Sequence, residues 1–138
     1  MALVLDTGPI VAALNAGDPD HARCAALLVD SPEDLVIPVL VLVEVDYWLR
    51  KLGGSQAWQT LVEDVASGSY RLEPLRDADL ARASELETTY QSLRLGLVDA
   101  SVIALCERLD EPKVATLDRR HFSVVRPRHR TAMALLPQ

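Results

Sequence analysis

Four of the twenty acidic residues in this 138-residue chain stand where an ordinary structural role explains them poorly. Asp6 directly follows Leu3-Val4-Leu5, and Asp118 directly follows Val114-Ala115-Thr116-Leu117. Glu44 lies in Val39-Leu40-Val41-Leu42-Val43-Glu44-Val45, and Asp99 opens the apolar stretch that continues through Val102-Ile103. A lone buried carboxylate is very costly unless it is paired or bound to a metal. Carboxylates gathered without a Cys or His cluster favour a hard cation, Mg²⁺ or Mn²⁺, held through few protein ligands and several waters. Each acid also has a structural alternative. Asp6 and Asp118 can cap the turn or helix that follows, Asp99 can favour a helix dipole, and Glu44 can sit on an exposed face beside Arg50 or Lys51. Asp46 competes with Glu44, but on a helix the two point about 200° apart, so only one can face a shared site.

Positioning these acids requires strands that end at Asp6 and Asp118. Ala2–Leu5 reads as a buried strand, and Thr7 can cap a helix with Pro9 in its first turn. Asp18-Pro19 starts a helix over His21–Asp30, and Leu35–Ile37 is a second strand. Val39–Leu52 reads as a helix stopped at Gly53-Gly54, although its β-branched residues also suit a strand. A helix over Ser55–Ala66, a strand at Tyr70–Leu75 and an amphipathic helix over Leu80–Leu93, capped by Asp77 or Asp79, follow. After Gly96 come a helix at Val98–Leu109 and short strands at Val114–Leu117 and Val124–Val125. Strands alternating with helices give an α/β fold with a mainly parallel sheet, and ligands in such sheets collect beyond the carboxyl ends of the strands. The remaining acids read as bland. Asp18, Asp77 and Asp79 look like caps, and Glu85, Glu87, Glu107, Asp110 and Glu111 look like solvated helix faces or ends.

Composition narrows the function classes. With 49% hydrophobic and 25% charged residues, the chain is neither a disordered tail nor a linker, and its length suits a single domain over 1–138. No apolar run approaches the roughly 20 residues of a spanning helix, and the start reads as a strand rather than a signal peptide. Cys24 and Cys106 share no CxxC spacing and read as buried free thiols of a cytoplasmic protein. The net charge of −6 hides a basic edge: Arg119, Arg120, Arg126, Arg128 and Arg130 fall within twelve residues, and setting them aside leaves −11 on the rest. Phosphate-loop, dinucleotide, serine-hydrolase and zinc-protease motifs are all missing. His21, His121 and His129 are scattered and read as surface residues, with His121 the one to watch because it lies three residues past Asp118. Six aromatic residues argue against a platform of stacked bases.

Together these segments resemble the PIN-domain ribonucleases, and specifically the VapC-type toxins of prokaryotic toxin–antitoxin pairs. Leu5-Asp6-Thr7-Gly8-Pro9-Ile10 is similar to the family's first-strand motif. Glu44, after Ile37-Pro38 and a Val/Leu run, resembles the second acid, Leu97-Val98-Asp99-Ala100 the third, and Thr116-Leu117-Asp118-Arg119-Arg120-His121-Phe122 the fourth. The resemblance implies a three-layer α/β/α sandwich, Mg²⁺-dependent RNA cleavage, a homodimer and a small antitoxin that occludes the site. Asp6 and Asp99 are then the expected main metal ligands, with Glu44 and Asp118 holding a second ion or orienting metal-bound water. Thr7 and Thr116 would hydrogen-bond the acids or the scissile phosphate, and the arginines would grip flanking phosphates of a transfer or ribosomal RNA. Two other readings remain open at this point: a non-catalytic RNA-binding PIN scaffold, and a receiver-like phosphoacceptor module.

Overall fold

The computed structural model describes residues 1–138. Five strands form one parallel sheet in the order β3-β2-β1-β4-β5: β1 Ala2–Leu5, β2 Asp34–Pro38, β3 Arg71–Glu73, β4 Lys113–Ala115 and β5 Ala134–Leu136. Seven helices flank it in a three-layer α/β/α arrangement: α1 Thr7–Leu14, α2 His21–Asp30, α3 Val39–Lys51, α4 Ser55–Ala66, α5 Asp77–Thr89, α6 Leu97–Leu109 and α7 Arg119–Phe122. β1 is buried at all four positions because it is covered on both faces, which is why it reads as an unbroken apolar run rather than an alternating one. The core joins Leu3, Val4 and Leu5 to Val36, Ile37, Val114 and Ala115 of the neighbouring strands, and to Ile10, Val41, Val45, Leu49, Val102 and Ile103 of the helices. No helix is long and apolar enough to cross a membrane.

The strand order places the site. Chain order runs outward in both directions from β1, so β1 and β4 are neighbours while their following segments diverge. A crevice forms at such a switch point, beyond the carboxyl ends of the strands. The Asp6 N–H donates to the Ala115 carbonyl at 2.8 Å, which brings the exits of β1 and β4 together.

Most elements match their sequence signals, including the stop of α3 before Gly53, whose φ of 75° suits glycine. The differences have physical causes. Val124–Val125 is not a strand. Val125 is buried as an anchor after α7, and the fifth strand is Ala134–Leu136, paired in parallel with β4. The last turn of the expected helix Leu80–Leu93 is a separate 3₁₀ turn, Gln91–Leu93, and the helix itself starts earlier, at Asp77. Neither Asp77 nor Asp79 is its N-cap; Asp79 sits inside the first turn and accepts the Arg76 N–H at 3.0 Å and the Arg108 guanidinium at 3.1 Å. Two acids expected in solvent are structural. Glu111 is buried and accepts the Ala2 N–H at 2.9 Å, fixing the start of β1. Glu107 takes both ends of the Arg82 guanidinium, at 2.8 and 3.0 Å, and the Arg128 N–H at 2.7 Å. Burial alone would raise the Glu107 pKa, but these donors overcome it and hold it below the usual range. Cys24 and Cys106 are buried free thiols, and burial raises the pKa of both.

Candidate active site

Asp6, Glu44, Asp99 and Asp118 line one groove of about 500 Å³ together with Thr7, Gly8, Val11, Asn15, Asp18, Trp48, Leu52 and Leu117. Each acid arrives on a different element. Asp6 leaves β1 and Asp118 leaves the segment after β4. Glu44 projects from α3, and Asp99 from the first turn of α6. A larger depression of about 720 Å³ lies at the opposite, amino-terminal ends of β2 and β3, where Asp34 and Arg71 form an exposed ion pair. The chemistry-bearing residues are not there.

Asp6 is 5% exposed and occupies the N-cap position of α1, yet its side chain makes no cap hydrogen bond. Its Oδ2 accepts from Thr116 Oγ1 at 2.8 Å, while its buried Oδ1 has no partner. Burial and the charge of Asp99 push its pKa up to about 7 against the pull of the Thr116 hydrogen bond. Thr116 also accepts the Asp118 N–H at 2.9 Å, so one hydroxyl ties the two strand exits together. Thr7 does not cap α1. It belongs to the helix, and its hydroxyl donates to Glu44 Oε1 at 2.8 Å. Gly8 permits the close approach of the two exits, since a Cβ there would stand 3.2 Å from the Leu117 Cβ. Asp46 is turned away and pairs with Arg50 at 3.1 Å, which resolves its competition with Glu44.

His121 is no bystander. Its Nδ1 lies 3.0 Å from Asp99 Oδ2 and 2.9 Å from Asp118 Oδ2, and its Nε2 lies 3.0 Å from the Leu93 carbonyl. All three contacts are acceptors, so the doubly protonated ring satisfies them together. Burial opposes that charge, but the hydrogen bond donated to Asp99 and the charges of Asp118 and Asp99 outweigh it, so the His121 pKa is raised. The Asp99 pKa is raised too, chiefly by burial, with Asp118 and Glu44 adding to it and the His121 hydrogen bond opposing. Ligand atoms of Asp99, Asp118 and His121 all lie within 4.8 Å of one another. This group therefore contains a residue outside the four acids, and neither Asp6 nor Glu44 belongs to it. The sequence signal for His121 was its position three residues beyond Asp118. The Leu93 carbonyl that orients the ring is 28 residues away and gives no local signal. The donor set suits a divalent cation, because the buried Asp6 Oδ1 has no partner and a single charged His121 faces four carboxylates.

A four-residue helix cannot hold His121 by itself. The Asp118 carboxylate accepts the His121 N–H at 3.1 Å as an N-cap, and Phe122 is 1% exposed beneath it. Phe122→Ala is expected to cost about 3–5 kcal/mol of stability, read from the denaturant midpoint, because it removes the anchor that seats α7.

The arginines divide. Arg119 and Arg120 are exposed at the start of α7, directly after Asp118, with Arg119 donating to the Pro137 carbonyl at 2.8 Å. Arg126 donates to the Ser123 carbonyl at 2.8 Å. Arg128 pairs with Glu85 at 2.7 Å, and Arg130 with Asp110 at 2.8 Å. The last two are thus partly neutralised.

The sequence profile of the PIN domain matches residues 3–126, and the chain belongs to the PIN-domain family. Within it, the chain is 33% identical to ribonuclease VapC26 of Mycobacterium tuberculosis over 125 residues, which is 91% of this chain and 93% of that one. Solved structures share the fold. VapC20 of Mycobacterium tuberculosis, a toxin that cleaves the sarcin–ricin loop, aligns with a TM-score of 0.78 at 21% identity over 85% of this chain and 90% of its own. VapBC2 of Rickettsia felis, bound to a DNA fragment of its promoter, gives 0.71 at 17% identity over 99% and 100%. A toxin–antitoxin complex of Klebsiella pneumoniae gives 0.66 at 19% identity over 89% and 92%.

Proposed function

We propose that this chain is a Mg²⁺-dependent endoribonuclease, with Mn²⁺ able to substitute, and the toxin of a type II toxin–antitoxin pair. It acts as a single PIN-like unit in the cytoplasm, forms a homodimer, cleaves structured RNA and is held inactive by a small antitoxin. One observation carries the reading: the unpartnered, buried Oδ1 of Asp6 lies in a groove that Glu44, Asp99 and Asp118 also line. The 33% identical relative is a ribonuclease, and the fold's neighbours include toxin–antitoxin complexes, which supports the same assignment.

In this reading Asp6 and Asp99 hold the ion, and Glu44 and Asp118 hold a second ion or orient the attacking water. A bound divalent ion supplies activation of that water and neutralisation of charge developing on the phosphate. Thr7 fixes the Glu44 carboxylate and Thr116 fixes that of Asp6, so both acids are oriented before substrate arrives. His121 partly offsets the charges of Asp99 and Asp118, and as the neutral imidazole it would be able to hold the ion together with them. The test is cleavage of cellular RNA by the purified chain freed of any partner. Cleavage in Mg²⁺ that stops in EDTA is expected, and RNA binding without cleavage would make the chain a non-catalytic scaffold.

Arg119 and Arg120 stand beside Asp118 and would grip phosphates next to the scissile one, with Arg126, Arg128 and Arg130 extending that edge. Replacing Arg119 and Arg120 by Gln should make the log–log salt dependence of RNA binding shallower by about 1.4–1.8. The same change at Arg128 and Arg130 should have a smaller effect, because Glu85 and Asp110 already offset their charge. Equal slopes for wild type and the Arg119/Arg120 variant would assign this edge elsewhere.

A further inference from the structure

The groove has two chemically different sides. Asp6, Glu44, Asp99 and Asp118 make one acidic, while Val11, Trp48, Leu52 and Leu117 make the other apolar. Trp48 is the only aromatic residue among those lining it, and it is 45% exposed. It lies four residues after Glu44 on α3, one turn and about 6 Å further along the same side of the helix. Its core-facing neighbours Val45 and Leu49 are fully buried, so α3 is anchored without it. Tyr47 packs edge-on against Trp48, with ring centroids 5.4 Å apart and planes at 78°, which limits the indole's freedom. The Lys51 ammonium stands 5.5 Å from the Trp48 and Tyr47 ring centroids and donates to the Tyr47 hydroxyl at 3.4 Å, placing a cation beside the groove. Beyond these two contacts, the half-exposed indole leaves an apolar surface open beside the acidic side of the groove.

We propose that Trp48 is a specificity-determining residue that stacks on one unpaired base flanking the scissile phosphate. This inference rests on the ribonuclease reading and adds what the site recognises. A purine presents the larger π-face to the indole and is the preferred occupant, with pyrimidines tolerated. The six aromatic residues are too few for a platform of successive bases, but a single stacking position needs only one. Lys51 then meets a neighbouring phosphate. The requirement for an unpaired base directs cleavage to loops or unstacked junctions of a structured RNA, where a base can be splayed out.

The test uses the full chain and a short loop-containing RNA that the wild type cuts, compared with copies carrying an abasic residue at each position beside the cut. Trp48→Ala should lower kcat/KM on the intact RNA by roughly 10–100-fold, the range of one base–aromatic stack. Trp48→Phe should recover most of it. One abasic position should bring the wild type down to the level of Trp48→Ala and cost that variant nothing further. Thermal stabilisation by Mg²⁺ should be the same in Trp48→Ala as in wild type. Cleavage of the intact RNA by Trp48→Ala at the wild-type rate overturns the inference, as does a loss in that variant that no abasic position reproduces in the wild type. The latter would mark Trp48 as structural, and loss of antitoxin inhibition with unchanged cleavage would mark it as a protein-docking residue. A wild type that cuts no RNA overturns the ribonuclease reading itself, and this inference with it.

Discussion

Asp99→Asn is expected to reduce RNA cleavage by at least about 10²–10³-fold, the scale of losing one group that stabilises developing charge, while leaving the metal-free protein folded. The amide keeps the shape of the carboxylate and an oxygen for His121 Nδ1, which now lies 3.0 Å from Asp99 Oδ2. Asp99 is not the N-cap of α6; that position is Gly96, without a side-chain cap. The substitution therefore loses a first-turn charge, worth about 0.3–1 kcal/mol, and the charge on the His121 contact, while it relieves repulsion with Asp6, Asp118 and Glu44. Metal-free stability should stay within about 1 kcal/mol of wild type, and Mg²⁺ should stabilise the variant less. Kinetics on RNA paired with melts in EDTA and in Mg²⁺ read both halves. A metal-free loss above about 1.5 kcal/mol, the size of a lost cap, would make Asp99 structural.

Stabilisation by Mg²⁺ is expected to grow as pH rises from about 5.5 to about 8. The folded-state pKa of Asp6 is raised to about 7 from an ordinary 3.8. Between those values the folded state binds more protons than the unfolded state, so metal-free stability falls with rising pH. His121 acts in the same direction: its pKa is raised, so its contribution is present below about 6.5 and is lost as pH climbs through the folded value. From Asp6 alone the metal-free protein should lose on the order of 2 kcal/mol across that range. A bound cation favours the ionised carboxylates and removes that penalty. At a hundred times Kd its stabilisation is about 2.7 kcal/mol, and the Kd itself falls as Asp6 ionises. Asp6→Asn should flatten the metal-free profile, because the amide oxygen still accepts from Thr116 and carries no charge. Melting temperatures at the two pH values, with Mg²⁺ and with EDTA, check this. A Mg²⁺ shift independent of pH would contradict it.

The parts of this site that were legible in the sequence are those whose signal is local. Asp6 and Asp118 were marked by the apolar runs they terminate, and a parallel sheet aligns such ends on one edge. Glu44 was marked by its apolar surroundings, and Asp46 was set aside by helix geometry. What stayed hidden depends on pairings across the fold. Glu111 looked like a solvated helix end, but its partner is the Ala2 N–H, 109 residues away. Arg128 looked free for phosphate, but Glu85 meets it from 43 residues away. Thr7 looked like a cap because its type suits one, whereas its hydroxyl reaches Glu44, 37 residues on. β5 escaped because Ala134-Leu135-Leu136 has neither β-branched residues nor alternation, and its strand character comes only from the free edge of β4.

The central claim is that one acidic centre both binds the divalent ion and cleaves RNA. Titrating Mg²⁺ into metal-stripped protein, with RNA cleavage rate and melting temperature followed in parallel, tests it most directly. No cleavage is expected in EDTA, and cleavage should be half restored at the Mg²⁺ concentration at which stabilisation is half complete, with both responses weakened in Asp99→Asn. Full cleavage in EDTA, or stabilisation that saturates in Asp99→Asn as it does in wild type, would contradict it.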